Sequence, residues 1–217
     1  MADTQSRAGA RFATAEIMAW LERVHSAHDA TLEAVYLSPE KTGLPAIQLG
    51  HAEAGFLEWF VRFMRARVAV EVGTLAGYSA VRIARALAAD GHLYSLEADP
   101  AHAKVARTNL KQAGLSDKVT VIDGFAATTL PSVESKGPFD LVFLDADKGG
   151  YEHYGRWARA HLRPGGVLIA DNVYLFGRLL DSDDEAASVR RFHEETAQHF
   201  DTACIPTPDG LLVGVRR

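Results

Sequence analysis

The feature that most restricts what this chain can fold into is a recurrence of compact apolar runs, at residues 68–73, 92–99, 118–124, 139–147 and 165–172. Runs this short that lack polar alternation are the pattern of strands covered on both faces. Helical patterns separate them. Val81, Ala84 and Ala88 fall at helical spacing after the first run, and Ala103, Ala106, Leu110 and Ala113 do so after the second, between Pro100 and Gly114. Residues 128–135 and 150–162 read as the next crossovers, the first of them interrupted by Pro131 and Pro138. Strand alternating with helix predicts an α/β fold with a Rossmann-like, doubly wound, mostly parallel sheet. The tail departs from this, because 202–206 and 211–215 are β-like and flank Thr207-Pro208-Asp209-Gly210, which predicts an antiparallel hairpin at the sheet edge.

Ahead of the first strand, Ile17, Trp20, Leu21 and Val24 form one amphipathic stripe and Phe56, Phe60 and Phe63 another, whereas residues 37–50, with Pro39, Gly43, Pro45 and Gly50, read as an irregular loop. At 217 residues and 47% apolar composition the chain suits a single domain, 1–217, with residues 1–66 as N-terminal helices and 67–217 as the core. The helices are expected to serve as a lid or as the contact of a homodimer. Lys and Arg total 23 against 28 Asp and Glu, a net charge of −5 with no dense basic run, which argues against a nucleic-acid partner. Cys204 is the sole cysteine, so no intrachain disulfide forms. With no leader-like start and no apolar run near the roughly 18 residues of a membrane span, the expectation is a cytoplasmic protein with no membrane partner.

Glu71, Glu97, Asp123, Asp145 and Asp171 stand at or near the carboxyl ends of the five expected strands, spaced 26, 26, 22 and 26 residues apart. In an open α/β sheet that edge is where ligands bind. One such acid is ordinarily a turn or helix cap; five in register point to a site where a cation, hydroxyls or amides offset their charge. The first loop, Glu71-Val72-Gly73-Thr74-Leu75-Ala76-Gly77-Tyr78-Ser79, has glycines four apart and no third in dinucleotide position. Its amides suit a carboxylate or phosphate, and Glu97, 20 residues after Gly77, suits both hydroxyls of a ribose. These features alone fit an NAD-linked dehydrogenase about as well as a methyltransferase.

Taken with Leu96-Glu97-Ala98-Asp99, Leu144-Asp145-Ala146-Asp147-Lys148 and Ala170-Asp171-Asn172, that loop resembles the cation-dependent class I S-adenosylmethionine O-methyltransferases, the catechol and caffeoyl-coenzyme A O-methyltransferase family. The resemblance runs from about Gln48 to the C-terminus. It implies that Glu71, Gly73 and Ser79, with Tyr78 beside them, hold the methionine end of S-adenosylmethionine. Glu97 would take the ribose, and Asp123, Gly124, Phe125 and Ala126 would line the adenine pocket. It further implies that Asp145, Asp171 and Asn172 bind a divalent cation and that Lys148 is the general base, with Asp145 and Asn172 joining it in the catalytic set. Two carboxylates and an amide oxygen form a hard site suited to Mg²⁺, or to Mn²⁺ or Ca²⁺, and unsuited to zinc. The implied acceptor is a small aromatic diol whose neighbouring hydroxyls chelate the ion.

Two stretches depart from relatives: Val173-Tyr174-Leu175-Phe176-Gly177 stands where Leu-Trp is common, and Gly50-His51-Ala52-Glu53-Ala54-Gly55 where a Ser or Thr begins the segment. Tyr151, Tyr154, Trp157 and Tyr174 are candidates to stack on a flat acceptor, Trp157 also reading as core. The histidines give no metal site: His193 and His199 face different ways on a helix, and His25 and His28, though able to share a helix face, read as surface residues. The rival readings are a metal-independent methyltransferase, the dehydrogenase, and a cofactor-binding dimer without turnover.

Overall fold

In the computed structural model, which describes residues 12–25 and 28–217, all five expected strands form. They are β1 (Val68–Val72), β2 (His92–Glu97), β3 (Val119–Asp123), β4 (Phe139–Leu144) and β5 (Leu162–Asp171), and the tail supplies β6 (Phe200–Ile205) and β7 (Leu211–Arg216). One sheet results, in the order β3-β2-β1-β4-β5-β7-β6. The first five strands are parallel, and β7 runs antiparallel to both β5 and β6. This is the expected fold class, with the second strand of the hairpin, not the first, seated against β5.

Successive residues of a strand project to opposite faces. Ala69, Leu141, Phe143, Val167 and Ile169 therefore join one buried cluster, while Val70, Val142, Leu144, Leu168 and Ala170 join another. Because helices cover both faces, the strands need no polar side. The helices among the described residues are α1 (Ala15–His25), α2 (Ala30–Tyr36), α3 (Ser38–Thr42), α4 (His51–Phe63), α5 (Tyr78–Ala86), α6 (Pro100–Gln112), α7 (Ala126–Val133), α8 (Tyr151–His161) and α9 (Asp184–His199). Leu57, Val61, Ile83 and Leu110 of α4, α5 and α6 pack into the first cluster; Leu130, Trp157 and Phe192 of α7, α8 and α9 pack into the second. The chain winds outward from β1 to β3, then returns to β4 on the other side of β1. That reversal opens a crevice at the carboxyl ends of β1 and β4.

Two N-terminal expectations change. The segment 37–50 is not wholly irregular, because Pro39 sits in the first turn of α3 and Gly43, at φ 75°, closes it. The aromatic stripe of α4 is not its core face: Ala54, Leu57 and Val61 are buried, while Trp59 is 58% and Phe63 71% exposed. Phe56 and Phe60 each lie one residue, about 100° of helix, from Leu57 and Val61, so the stripe rides on the flank of the buried face. Helix α1 buries none of its residues, and Ile17, Trp20 and Val24 are about half exposed. Residues 1–11 of the expected N-terminal unit lie outside the described residues.

Candidate active site

The crevice is a cavity of about 1090 Å³, and its two halves are built from different materials. On the β1–β3 side the wall is mostly backbone. Gly73 adopts φ +94° and passes so close to β4 that a Cβ there would lie 2.0 Å from the Asp145 carbonyl oxygen. Only glycine fits both the conformation and the contact. Gly77, at φ 87°, then starts α5, and Tyr78 and Ser79 follow in the cavity wall. Glu97 organises this loop: its Oε2 accepts the amide N–H of Thr74 at 3.0 Å and of Leu75 at 2.7 Å, and its Oε1 accepts that of Asp99 at 3.0 Å. A carboxylate oxygen accepts more than one hydrogen bond, so Glu97 retains acceptor capacity toward the cavity it lines. Gly124, Phe125 and Ala126 complete this side, and the Phe125 ring is 72% exposed.

Glu71 and Asp123 are placed otherwise. Glu71 is fully buried beneath the loop and is not among the cavity-lining residues. Its Oε2 accepts the Ser95 hydroxyl at 2.5 Å, its Oε1 has no partner, and burial pushes its pKa up to about 7 against the opposing pull of the Ser79 and Ser95 hydroxyls. Asp123 ends β3 but turns outward to Arg107, 2.5 Å from its Nη2, and does not reach the cavity. Of the five strand-end acids, three line the site, one lies under it and one is a surface ion pair.

On the β4–β5 side the wall is made of side chains. Asp145, Lys148, Asp171 and Asn172 all face the same cavity. Lys148, in the one-turn helix after β4, is buried, with Nζ 3.3 Å from Asp145 Oδ1 and donating to the Tyr151 hydroxyl at 2.7 Å. Tyr151 in turn donates to the Asp171 carbonyl at 2.8 Å, which ties lysine and both aspartates into one network. Burial raises the pKa of Asp145, and burial followed by the charge of Asp145 raises that of Asp171 to about 7. Asp171 Oδ1 is buried with no partner. Two carboxylates near enough to repel, one with an orphaned oxygen, and the amide of Asn172 form a donor set that fits a hard divalent cation. Among the described residues no trio of His, Cys, Asp and Glu side chains converges as a metal site, so any such ion depends on that amide as the third donor.

Asn172 adopts φ 54°, and Leu175 and Phe176 both adopt φ 53°, so the loop after β5 holds three non-glycine residues in the left-handed region. The C-terminal hairpin braces it: Val173 and Tyr174 donate to the Gly210 and Asp209 carbonyls, and Phe176 donates to Asp209 Oδ1 at 2.8 Å.

Residues 23–217 match the family described as O-methyltransferase. The chain is 41% identical over 170 residues to a catechol O-methyltransferase of Niastella koreensis, covering 76% of this chain and 77% of that one. It is 37% identical over 196 residues to a catechol O-methyltransferase of Mycobacterium tuberculosis, covering 88% and 89%. The chain belongs to the O-methyltransferase family. The crystal structure of an O-methyltransferase from Bacillus cereus in complex with SAH superposes with a TM-score of 0.89 at 34% identity, over 93% of this chain and 97% of that one. The mostly parallel sheet with its antiparallel hairpin edge is thus this family's fold, and a dehydrogenase is set aside.

Several residues of this O-methyltransferase cavity escape a reading of the sequence. Phe176, Glu185, Gln48, Gly50 and Glu53 line the cavity, the charge of Glu53 acting on Asp171, and His102 lines it 3.6 Å from Glu97. Their signal was weak because none lies at a strand end; only the departures at 173–177 and 50–55 marked Phe176, Gly50 and Glu53. Of the four candidate stacking rings, Tyr151 and Trp157 are core, Tyr174 is not in the cavity wall, and Tyr154 lines it with its hydroxyl donated to Asp147 at 2.7 Å. His28 is neither helical nor on the surface: its side chain is 4% exposed.

Proposed function

We propose that this S-adenosylmethionine-dependent O-methyltransferase moves the cofactor's methyl group onto one hydroxyl of a vicinal dihydroxy aromatic, with a divalent cation, Mg²⁺ foremost, at Asp145, Asp171 and Asn172. The observation that carries this reading is the joint placement of Asp145, Lys148, Asp171 and Asn172 in one wall, with an unpartnered carboxylate oxygen among them. The names of the Niastella and Mycobacterium relatives support a catechol acceptor.

The residues divide the work. Gly73, Tyr78 and Ser79 hold the methionine end, with Glu71 supplying negative charge from below, Glu97 takes the ribose, and Gly124, Phe125 and Ala126 flank the adenine. A divalent cation at Asp145, Asp171 and Asn172 supplies chelation and polarisation of two neighbouring hydroxyls. Lys148, held by Asp145 and Tyr151, receives the proton that leaves the attacking hydroxyl. Holding acceptor and sulfonium in line supplies up to about 7–11 kcal/mol toward the barrier. The test is methyl transfer from labelled S-adenosylmethionine to catechols, caffeoyl esters and flavonoids, with Mg²⁺ and with EDTA. Transfer to catechols that EDTA abolishes and Mg²⁺ restores is expected, as is a loss of about 10²-fold or more in kcat for Lys148→Ala. Transfer unaffected by chelator would leave Asp145 and Asp171 as hydrogen-bonding residues and refute the cation.

The exposed apolar side chains of α1 and α4, Ile17, Trp20, Trp59 and Phe63, form the contact of a homodimer in this reading. Sedimentation should show a dimer that Trp20→Glu weakens; a monomeric parent at micromolar concentration would exclude it.

A further inference from the structure

Behind the cofactor side of the cavity, four rings from three separate segments meet. His28 lies 4.0 Å from His51, His51 lies 4.3 Å from Tyr36, and Tyr36 lies 5.1 Å from Tyr78, all between ring centroids. His28 precedes α2, His51 opens α4, and Tyr78 opens α5 directly after the glycine loop. Tyr78 and the residues just before His51, Ile47 to Gly50, are cavity wall.

A chain of hydrogen bonds runs through this cluster from Arg82 to Glu33. Arg82 donates to the Tyr78 oxygen at 3.1 Å, and that oxygen lies 2.7 Å from His28 Nε2. The Glu33 carboxylate can only accept, so His28 Nδ1 donates to Glu33 Oε2 at 2.8 Å, and in the neutral imidazole Nε2 is left to accept the Tyr78 hydroxyl. Arg82 is itself paired with Glu58 at 2.9 Å. A charge stands at each end of the chain, and the tyrosine and the imidazole each both donate and accept, which fixes how the Tyr78 ring sits in the wall. A second tie runs alongside it: Asp29, which caps α2, accepts from Arg85 of α5 at 2.7 Å.

We propose that His28 is a positioning residue for the cofactor: through Tyr78 it sets the wall beside the methionine end, so that the segment before α2 contributes to cofactor affinity without touching the cofactor. This rests on the reading that the cavity takes S-adenosylmethionine. The contact is specific to Nε2, and glutamine can place an amide oxygen where Nε2 stands, whereas alanine cannot.

The experiment is calorimetric titration of the full-length protein with S-adenosylmethionine, together with steady-state kinetics on catechol with Mg²⁺, for the parent, His28→Ala, His28→Gln and Tyr78→Phe. His28→Ala and Tyr78→Phe are expected to raise the cofactor Kd and KM by about 5- to 10-fold. For His28→Ala, kcat at saturating cofactor and the KM for catechol should stay within about twofold, and His28→Gln should recover cofactor affinity to within about twofold of the parent. An unchanged Kd in His28→Ala, or a Gln variant as weak as the Ala variant, overturns the proposal. So does a fall in kcat and acceptor affinity alongside cofactor affinity, which is the mark of general loosening. If His28→Ala does not fold, the Gln and Tyr78→Phe arms decide it. A parent that binds cofactor but methylates no catechol refutes the acceptor reading and leaves the binding arm in force; a parent that binds no S-adenosylmethionine refutes both.

Discussion

The two halves of the cavity solve opposite problems. On the cofactor side the acid that faces the cavity is partnered, Glu97 accepting three backbone amides, and the glycine loop is pressed against β4 at Gly73; the unpartnered Glu71 Oε1 lies beneath that loop, out of the wall, and Gln48 Oε1 is a neutral acceptor. On the acceptor side an acid that faces the cavity is left short: the charge of Asp145 adds to burial in raising the Asp171 pKa, one oxygen of Asp171 lacks any partner, and three non-glycine residues of the following loop are left-handed, against Leu75 alone in the glycine loop. A prepaid wall suits a ligand whose shape never varies, such as a cofactor. An underpaired one stores electrostatic cost that the proposed cation would relieve.

The sharpest way to break this comparison is Asp171→Ala. If the unpaired Asp171 oxygen serves the acceptor side alone, methyl transfer should fall by about 10³-fold, the several kcal/mol expected of lost Lewis-acid stabilisation. Cofactor affinity should stay within about threefold, and thermal stability without cation should rise, because a buried, incompletely bonded carboxylate is gone. Cofactor affinity falling in parallel with the rate would show that the halves are not separable.

Both the legibility of this molecule and its limits follow from the same contrast. Fold and strand ends could be read because each buried strand must be apolar along its whole length, so the acids that follow stand out. The sheet was therefore readable from Val68 to Asp171, and so was the hairpin, from Thr207-Pro208-Asp209-Gly210. What periodicity could not supply was direction. Asp123 and Glu97 occupy paired positions in β3 and β2, yet one turns to Arg107 and the other to the glycine loop, a choice made by tertiary neighbours. The Phe56, Phe60 and Phe63 stripe misled for a related reason: residue size drew the eye to a face that packing leaves on the flank of the smaller Ala54, Leu57 and Val61. His28 was unreadable because its partners, Tyr78 and His51, are distant in sequence.

Titration offers a milder test. Burial and Asp145 raise the Asp171 pKa from 3.8 to about 7, so in the cation-free protein this carboxyl is protonated below that pH. A cation needs it ionised. The apparent cation affinity should therefore be flat above pH 7 and fall by up to about tenfold per unit below it, steeper if Asp145 takes up a second proton. Linkage fixes the sign for stability as well. A raised folded-state pKa means that the folded protein holds more protons between about pH 4 and 7, so this group's destabilising effect grows through that window and is complete above it. Cation titrations at pH 6, 7 and 8 check the first expectation. A cation affinity unchanged from pH 8 to 6 would show that protons do not compete at Asp171.

The smallest effect concerns the rim of the acceptor half. Glu185, in the first turn of α9, lines the cavity with Phe176 and Asp147, and its Oε2 accepts from Arg178 at 2.5 Å. Arg178 also lies 3.5 Å from Asp183, so the one guanidinium serves two carboxylates and the rim keeps a negative excess. An acceptor whose ring carries an ammonium tail should gain from this charge and one with a carboxylate tail should lose. Because the Glu185 side chain is 42% exposed, water and salt screen the effect to the range of surface ion pairs, up to about 1 kcal/mol. Glu185→Gln should thus narrow the kcat/KM ratio of 3,4-dihydroxyphenethylamine to 3,4-dihydroxyphenylacetate by about threefold at low salt and leave 4-methylcatechol unchanged. A ratio that does not move would mean that the tail leaves the cavity by another side, and that the rim contributes shape, through Phe176, rather than charge.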